Sequence, residues 1–104
     1  MLLENEPENI WLARRGREPV GFVGLRIHAE DRMCEIYILA VAPDQQRRGI
    51  GRRLMQFAEE HIRAVGMRMI MVETIGDSGH APARRAYESF GFRKWPVARY
   101  FKEL

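Results

Sequence analysis

Residues 41–55 read VAPDQQRRGIGRRLM, and the fold turns on how they are parsed. Val41 closes Met33–Val41 (MCEIYILAV), a near-continuous apolar and β-branched run of the kind that forms a central strand. Pro43 ends it. Ile50, Leu54, Phe57, Ala58, Ile62 and Val65 then recur at helical spacing on one face, while Arg52, Arg53, Glu59, Glu60 and Arg63 take the others. A strand therefore passes through a short loop into a helix whose mouth carries Gly49 and Gly51. The first amides of a helix have no acceptor within it and sit at the positive end of its dipole, so the mouth is an anion site. Two glycines let a bulky diphosphate approach the backbone. Arg47, Arg48, Arg52 and Arg53 surround it. The loop lacks the Gly-Lys-Ser/Thr of a nucleotide P-loop and the third glycine of a dinucleotide fingerprint.

Upstream, Ile10–Arg14 is a short apolar stretch, Arg15-Gly16-Arg17-Glu18 reads as a hairpin turn, and Pro19–His28 (PVGFVGLRIH) is β-rich. With Met33–Val41 these make an antiparallel meander. Downstream, Gly66 is expected to stop the helix, Met67–Thr74 (MRMIMVET) is a buried strand, and Ile75–Ala81 is a loop. Strand, helix and strand in this order imply a parallel pair. Pro82 opens a second helix that runs to Phe90 and stops at Gly91, and Phe92–Leu104 closes with strand-like material broken by Pro96. The order β-β-β-α-β-α-β predicts a mixed α/β fold, a sheet covered by two helices.

The chain has 104 residues, room for one domain, and residues 1–104 are expected to form one. Hydrophobic residues make up 46% and charged residues 30%, which excludes a disordered chain. No apolar run approaches the roughly 20 residues of a membrane helix, and the acidic MLLENEPENI is not a signal peptide. One cysteine, Cys34, excludes an internal disulfide and fits a reducing cytoplasm. His28, His61 and His80 lack metal-ligand spacing, so no metal is expected.

Charge is unevenly placed. Residues 1–44 carry 5 arginines against 8 acids, and residues 45–104 carry 12 basic residues against 6 acids. The basic part should attract an anion, and the acidic part favours a cationic partner. Of the 17 basic residues only Lys94 and Lys102 are lysines. Arginine is the better bidentate phosphate ligand, although a bias of genome composition would look the same. Nucleic acid fits less well, since aromatics are not interleaved with the arginine cluster.

VAPDQQRRGIGRRLM resembles the acetyl-CoA-binding motif of the GNAT N-acetyltransferases, Gln/Arg-x-x-Gly-x-Gly/Ala after a strand ending in a Val-x-Pro turn. His80-Ala-Pro-Ala-Arg-Arg-Ala-Tyr87-Glu-Ser-Phe-Gly91-Phe92 resembles the family's second motif, Asn-x-x-Ala-x-x-x-Tyr-Glu-x-x-Gly-Phe, at the usual separation. The resemblance covers Gly21 to about Leu104. It implies a GNAT-like fold and direct transfer of acetyl from acetyl-CoA to a primary amine. The alternative is an acyl-CoA-binding or regulatory module that has lost the chemistry.

By the same resemblance, the backbone amides of Gln46, Arg47, Arg48, Gly49, Ile50, Gly51 and Arg52 hold the CoA pyrophosphate, and main-chain groups of Leu39 and Val41 pair with pantetheine. Glu35 matches the general base of histone-acetylating members, with Tyr37 on its face shaping the acceptor site; otherwise Glu35 is a strand-end carboxylate paired with Arg26 or Arg68. Tyr87 matches the general acid to the CoA sulfur; otherwise it packs with Phe90 and Phe92. His80 stands where many members have an asparagine that bonds pantetheine, or is a pH-sensitive loop residue. Arg84 or Arg85 reaches a CoA phosphate, or faces solvent.

The family's domain usually begins with a strand and one or two helices before the meander. Only nine residues precede Ile10 here, so the chain is expected to be a minimal member, a dimer or a fragment. Ile10–Arg14 would then be a bare edge, which predicts a homodimer.

Overall fold

The computed structural model describes residues 2–73, 81–96 and 98–104, in two compact units, residues 1–73 and 74–104. The first unit holds β1 (Leu2–Glu6), β2 (Ile10–Arg15), β3 (Glu18–His28), β4 (Met33–Val41), α1 (Ile50–Ala64) and β5 (Met69–Val72). The second holds α2 (Ala81–Ser89). The strands form one sheet in the order β1-β2-β3-β4-β5, antiparallel from β1 to β4 and parallel between β4 and β5.

The meander and the parallel pair are as the sequence predicts. The N-terminus is not. Ile10 begins the second strand, because Leu2–Glu6 already pairs along it from Leu2↔Arg14 to Glu6↔Ile10. The pairing places Leu3 opposite Ala13, and Glu4 reaches Arg14 at 3.1 Å. The expected bare edge at Ile10 is therefore filled from within the chain, which removes the reason given for a homodimer. Acidic LLENE conceals this strand: its apolar side chains are few, and its place is fixed by partners rather than by its own pattern.

At the other end, no strand forms among the described residues of 92–104. Residues 93–96 and 98–104 are all exposed, Trp95, Tyr100 and Phe101 among them. Pro96 has no amide to give a ladder, and the strand-like composition there finds no sheet partner among the described residues. It is β1, not a C-terminal strand, that brings the sheet to five among the described residues.

α1 covers one face of the sheet. Ile50, Leu54, Ala58 and Ile62 are buried at its predicted stripe, joined by Met55, against Trp11, Ala13, Val23, Leu25, Cys34 and Ile36. Trp11 also lies 4.4 Å from the His61 ring and 5.3 Å from that of Phe57. Gly21 is required beneath the helix: a Cβ there would meet the Ala40 carbonyl at 2.7 Å and Leu54 at 3.2 Å. Truncating fully buried Leu54 to alanine would cost roughly 2–5 kcal/mol. Val65 is exposed because it caps the helix and does not continue it.

Both helices end in the same device. Gly66 and Gly91 have φ of +86° and +91°. In α1 the Gly66 amide bonds the Arg63 carbonyl and the Met67 amide bonds that of Ile62; in α2 Gly91 bonds Glu88 and Phe92 bonds Tyr87. This crossed pair satisfies carbonyls the helix leaves over, and it needs a left-handed residue, hence glycine.

Candidate functional site

The strand that feeds the loop contains a bulge that the sequence does not show. Pairing runs Gly24↔Ile38 and then Leu25↔Ile36, which leaves Tyr37 as an extra residue in β4. Among the described residues, β5 stops at the same level, with Ile36↔Val72 its last pair. From Tyr37 to Val41, the only strand that β4 pairs with among the described residues is therefore β3. Among the described residues the parallel pairing thus ends at the level of the bulge, and β4 carries Leu39 and Val41 onward to the loop.

That loop runs into the mouth of α1. The first bond of the helix is from the Arg53 amide to the Gly49 carbonyl, at 3.0 Å. The amides of Gly49, Ile50 and Gly51 precede it, and Gly49 supplies no side-chain cap. Gly49 has φ +78°, and a Cβ on it would meet nothing within 4 Å. Space on the Cβ side of Gly49 is thus open among the described residues. Gly51 is under less constraint, since its Cβ would touch Val41 at an ordinary 3.7 Å. Arg47, Arg48, Arg52 and Arg53 are all exposed around the mouth.

Two costs sit in this loop. Arg47 is held at φ +65°, a left-handed conformation worth roughly 1–2 kcal/mol against a side-chain-bearing residue. Gln45 Oε1 is buried with no hydrogen-bond partner among the described residues, which costs about 1–3 kcal/mol. Strain of this kind persists where the surroundings fix a geometry that the chain alone would not choose. Gln46 gives a local tie, donating from Nε2 to the Val41 carbonyl at 3.4 Å, long enough to yield to a better partner.

Glu35 lies on the sheet face opposite α1, with its side chain 19% exposed. Its Oε1 is 4.0 Å from Arg26 Nη1 and 3.7 Å from His28 Nε2. The ion pair with Arg26 exists and His28 joins it, while no ion pair links Arg68 to Glu35 among the described residues. Arg26 also lies over the Tyr37 ring, 4.2 Å from its centre. Glu35, Arg26, His28 and Tyr37 thus form one cluster beside the bulge. Behind it, on the α1 side, Cys34 is fully buried, and burial pushes its thiol pKa up, with the Glu35 charge adding to the shift.

In the second unit, Tyr87 is half-buried and its ring meets that of Phe92 edge-on at 5.9 Å. This is the apolar contact that accompanies the glycine stop of α2. Arg84 is half-buried and Arg85 exposed on the same helix. The expectation for His80 falls outside the described residues. The residues that sequence reading passed over are the bulge at Tyr37, the left-handed Arg47 and the contact of His28 with Glu35. The first and the last depend on register, which only the partner strand fixes, and the second on how the loop between β4 and α1 closes. Among the described residues, no group of three or more His, Cys, Asp or Glu could hold a metal ion, and no helix is long and apolar enough to cross a membrane.

Residues 1–92 match the family model for the GNAT acetyltransferases, and the chain belongs to that family. It is 36% identical over 87 residues to a mycothiol acetyltransferase of Streptomyces bingchenggensis, a match that takes 84% of this chain and 28% of that protein. Among solved structures it is similar to a GNAT-family protein from Desulfovibrio desulfuricans, 32% identical, with a TM-score of 0.77 over 85% of this chain and 57% of that one. An aminoglycoside acetyltransferase from an uncultured soil metagenomic sample is 26% identical, with a TM-score of 0.75 over 91% of this chain and 65% of that one. The chain spans less than a third of the length of the mycothiol acetyltransferases it matches.

Proposed function

We propose that the chain is an acetyl-CoA-dependent N-acetyltransferase, acting on a primary amine, and that residues 1–104 are one domain. The match of the family model across both compact units supports the second point. The observation that carries the first is the end of β4–β5 pairing at the level of the Tyr37 bulge among the described residues, along a strand that leads to the first amides of α1. An elongated ligand with a polar arm and a diphosphate fits such a path.

In this reading the amides of Gln46, Arg47, Arg48, Gly49, Ile50, Gly51 and Arg52 hold the pyrophosphate of acetyl-CoA. Main-chain groups of Leu39 and Val41 receive pantetheine, with the Gln46 tie to the Val41 carbonyl released. His80 and Arg84 add contacts, on the strength of their motif alone. Charge-assisted hydrogen bonds contribute about 1.5–3 kcal/mol each, so a few of them account for micromolar affinity.

The acceptor arrives as an ammonium. Glu35, directly or through a water, takes one proton and frees the nitrogen lone pair. The nitrogen attacks the thioester carbonyl carbon and gives up its second proton to solvent, the C–S bond breaks, and the sulfur leaves with the bonding pair. Tyr87 supplies its hydroxyl proton to that thiolate. The products are the acetylated amine and free coenzyme A, and the two side chains regain their protons and charge through solvent. A small-molecule acceptor is supported by relatives named for mycothiol and aminoglycosides. If the chain is a homodimer, pairing would run through β1, the terminal strand of the sheet. A cytoplasmic location is consistent with a lone buried thiol.

The test is thiol release from acetyl-CoA across a panel of amines, with coenzyme A affinity measured separately by calorimetry. Glu35→Gln and Tyr87→Phe should each lower kcat by 10- to 1,000-fold and leave coenzyme A affinity within about twofold. A protein that binds coenzyme A and turns over no amine is the binding module instead. One that does not bind it refutes the reading at its root.

A further inference from the structure

Glu35 is not offered to the acceptor as an isolated negative charge. Register places Arg26 directly across from it, and His28 on the diagonal. The two side chains approach one carboxylate oxygen at 4.0 and 3.7 Å. Hydrogen bonds between such groups close to about 2.7–3.2 Å, so neither contact is a closed one. Arg26 is 61% exposed, and its planar guanidinium rests on the Tyr37 ring. Stacking on an aromatic face fixes the plane of the guanidinium and leaves its N–H fork free for a carboxylate. Among the described residues Arg26 has no acidic contact other than Glu35.

We infer that Arg26 selects the acceptor, and that the acceptor is an amine bearing its own carboxylate close to the amino group, as an amino acid does. This rests on the reading of Glu35 as the proton acceptor. A simple polyamine that brings an ammonium to Glu35 must come up against Arg26, and against His28 when that ring is protonated. The net negative charge of residues 1–44 does not offset this, because exposed charges farther than about 8–10 Å are screened while Arg26 is at contact distance. A zwitterion meets the opposite situation. Its ammonium turns to Glu35 and its carboxylate to the guanidinium fork, so that four charges alternate in sign. At 4.0 Å Arg26 makes no closed hydrogen bond to Glu35, so its exposed fork gives up none when it turns to the carboxylate of such a molecule. Local geometry thus points away from the cationic acceptor that overall charge favours.

The experiment compares acceptors that differ only in the carboxylate: the common L-amino acids against their carboxamides, with spermidine and an aminoglycoside as polycations. Thiol release from acetyl-CoA is followed for the wild-type chain, Arg26→Gln and Arg26→Lys. Coenzyme A affinity serves as the check that each variant is folded. At least one amino acid is expected to exceed its carboxamide tenfold or more in kcat/KM. Arg26→Gln should bring that ratio near one, mainly through KM, and Arg26→Lys should restore part of it. The inference is overturned if no amino acid is a substrate, if carboxamides or polycations serve equally well, or if the ratio survives Arg26→Gln. Turnover of polycations alone would remove this inference and leave the enzyme reading standing. Failure to bind coenzyme A would remove both.

Discussion

A Cβ on Gly24 would stand 2.7 Å from Cζ of Tyr37 and 2.8 Å from its hydroxyl oxygen. The bulge in β4 turns Tyr37 and Ile38 to the same side of the sheet, and the tyrosine ring occupies the space that a side chain at position 24 would need. Ring position, Arg26 and the bulge are therefore coupled through one missing methyl group.

Gly24→Ala tests that coupling. The methyl must displace the Tyr37 ring or the Ile38 side chain, an overpacking cost of about 1–3 kcal/mol. For a chain of this length each kcal/mol lowers the thermal midpoint by roughly 4–8 °C. Moving the ring also takes away the platform under Arg26. Acceptor kcat/KM should fall by more than the coenzyme A affinity does. An unchanged midpoint and unchanged kinetics would show that the ring is free to swing aside and that the bulge does not depend on Gly24.

Arg47 and Gly49 both take left-handed backbone in one loop, and their substitutions should move stability in opposite directions. Gly49→Ala introduces no clash, since open space surrounds the site, but it places a Cβ at φ +78° and should cost about 1 kcal/mol. Arg47→Gly relieves the same conformation and should raise stability by roughly 0.5–1 kcal/mol, less whatever the added chain entropy takes back. Yet it removes a cation from the mouth of α1, so coenzyme A should bind more weakly. Urea titration and calorimetry on the two variants decide the matter. Equal effects of the same sign would mean that the loop relaxes and stores no strain.

Most of the architecture was legible in the sequence, and the reason differs by element. α1 announces itself because Ile50, Leu54, Ala58 and Ile62 each repeat the same local relation to the core, and the glycines after both helices are read from backbone geometry alone. β4 is recognisable because both its faces are apolar enough to carry the signal without a partner. β1 is not, since Glu4 and Glu6 dilute its pattern and only pairing with β2 identifies it. The loop motif was visible as residue types, but not the geometry that matters most. An extra residue at Tyr37 is invisible until β3 is laid beside β4, and with it go the cluster around Glu35 and the end of pairing with β5.

Tyr87→Phe separates hydroxyl chemistry from packing more cleanly than most active-site substitutions. The ring contact with Phe92 at 5.9 Å accompanies the Gly91 stop and does not involve the hydroxyl. The variant should keep its stability to within about 0.5 kcal/mol while turnover drops. Tyr87→Ala loses the ring as well, worth about 0.5–1.5 kcal/mol beyond its buried area, and should loosen the C-terminal turn of α2. Denaturation curves beside rate measurements distinguish the two, and a destabilised Tyr87→Phe would assign the hydroxyl a structural partner in place of a chemical one.

Cys34 gives the chain an alkaline limit that can be isolated by subtraction. Its side chain is fully buried between Glu35 and the α1 face, and desolvation first, then the Glu35 charge, holds the thiol above its ordinary 9.0, with the Arg26 amide opposing in part. Below that value the thiol is protonated whether the chain is folded or not, and it contributes no pH dependence. As pH rises past it, the unfolded chain gives up the proton while the folded chain keeps it. The unfolded state then binds fewer protons, and stability falls by up to about 1.4 kcal/mol per pH unit until the folded thiol also ionises. Cys34→Ala removes this slope and leaves every other titrating group in place. The stability advantage of the wild-type chain over the variant should shrink between roughly pH 8 and pH 10, and iodoacetamide should alkylate the native thiol far more slowly than an unfolded one. Parallel stability curves for the two proteins across that range would place the Cys34 thiol in contact with solvent.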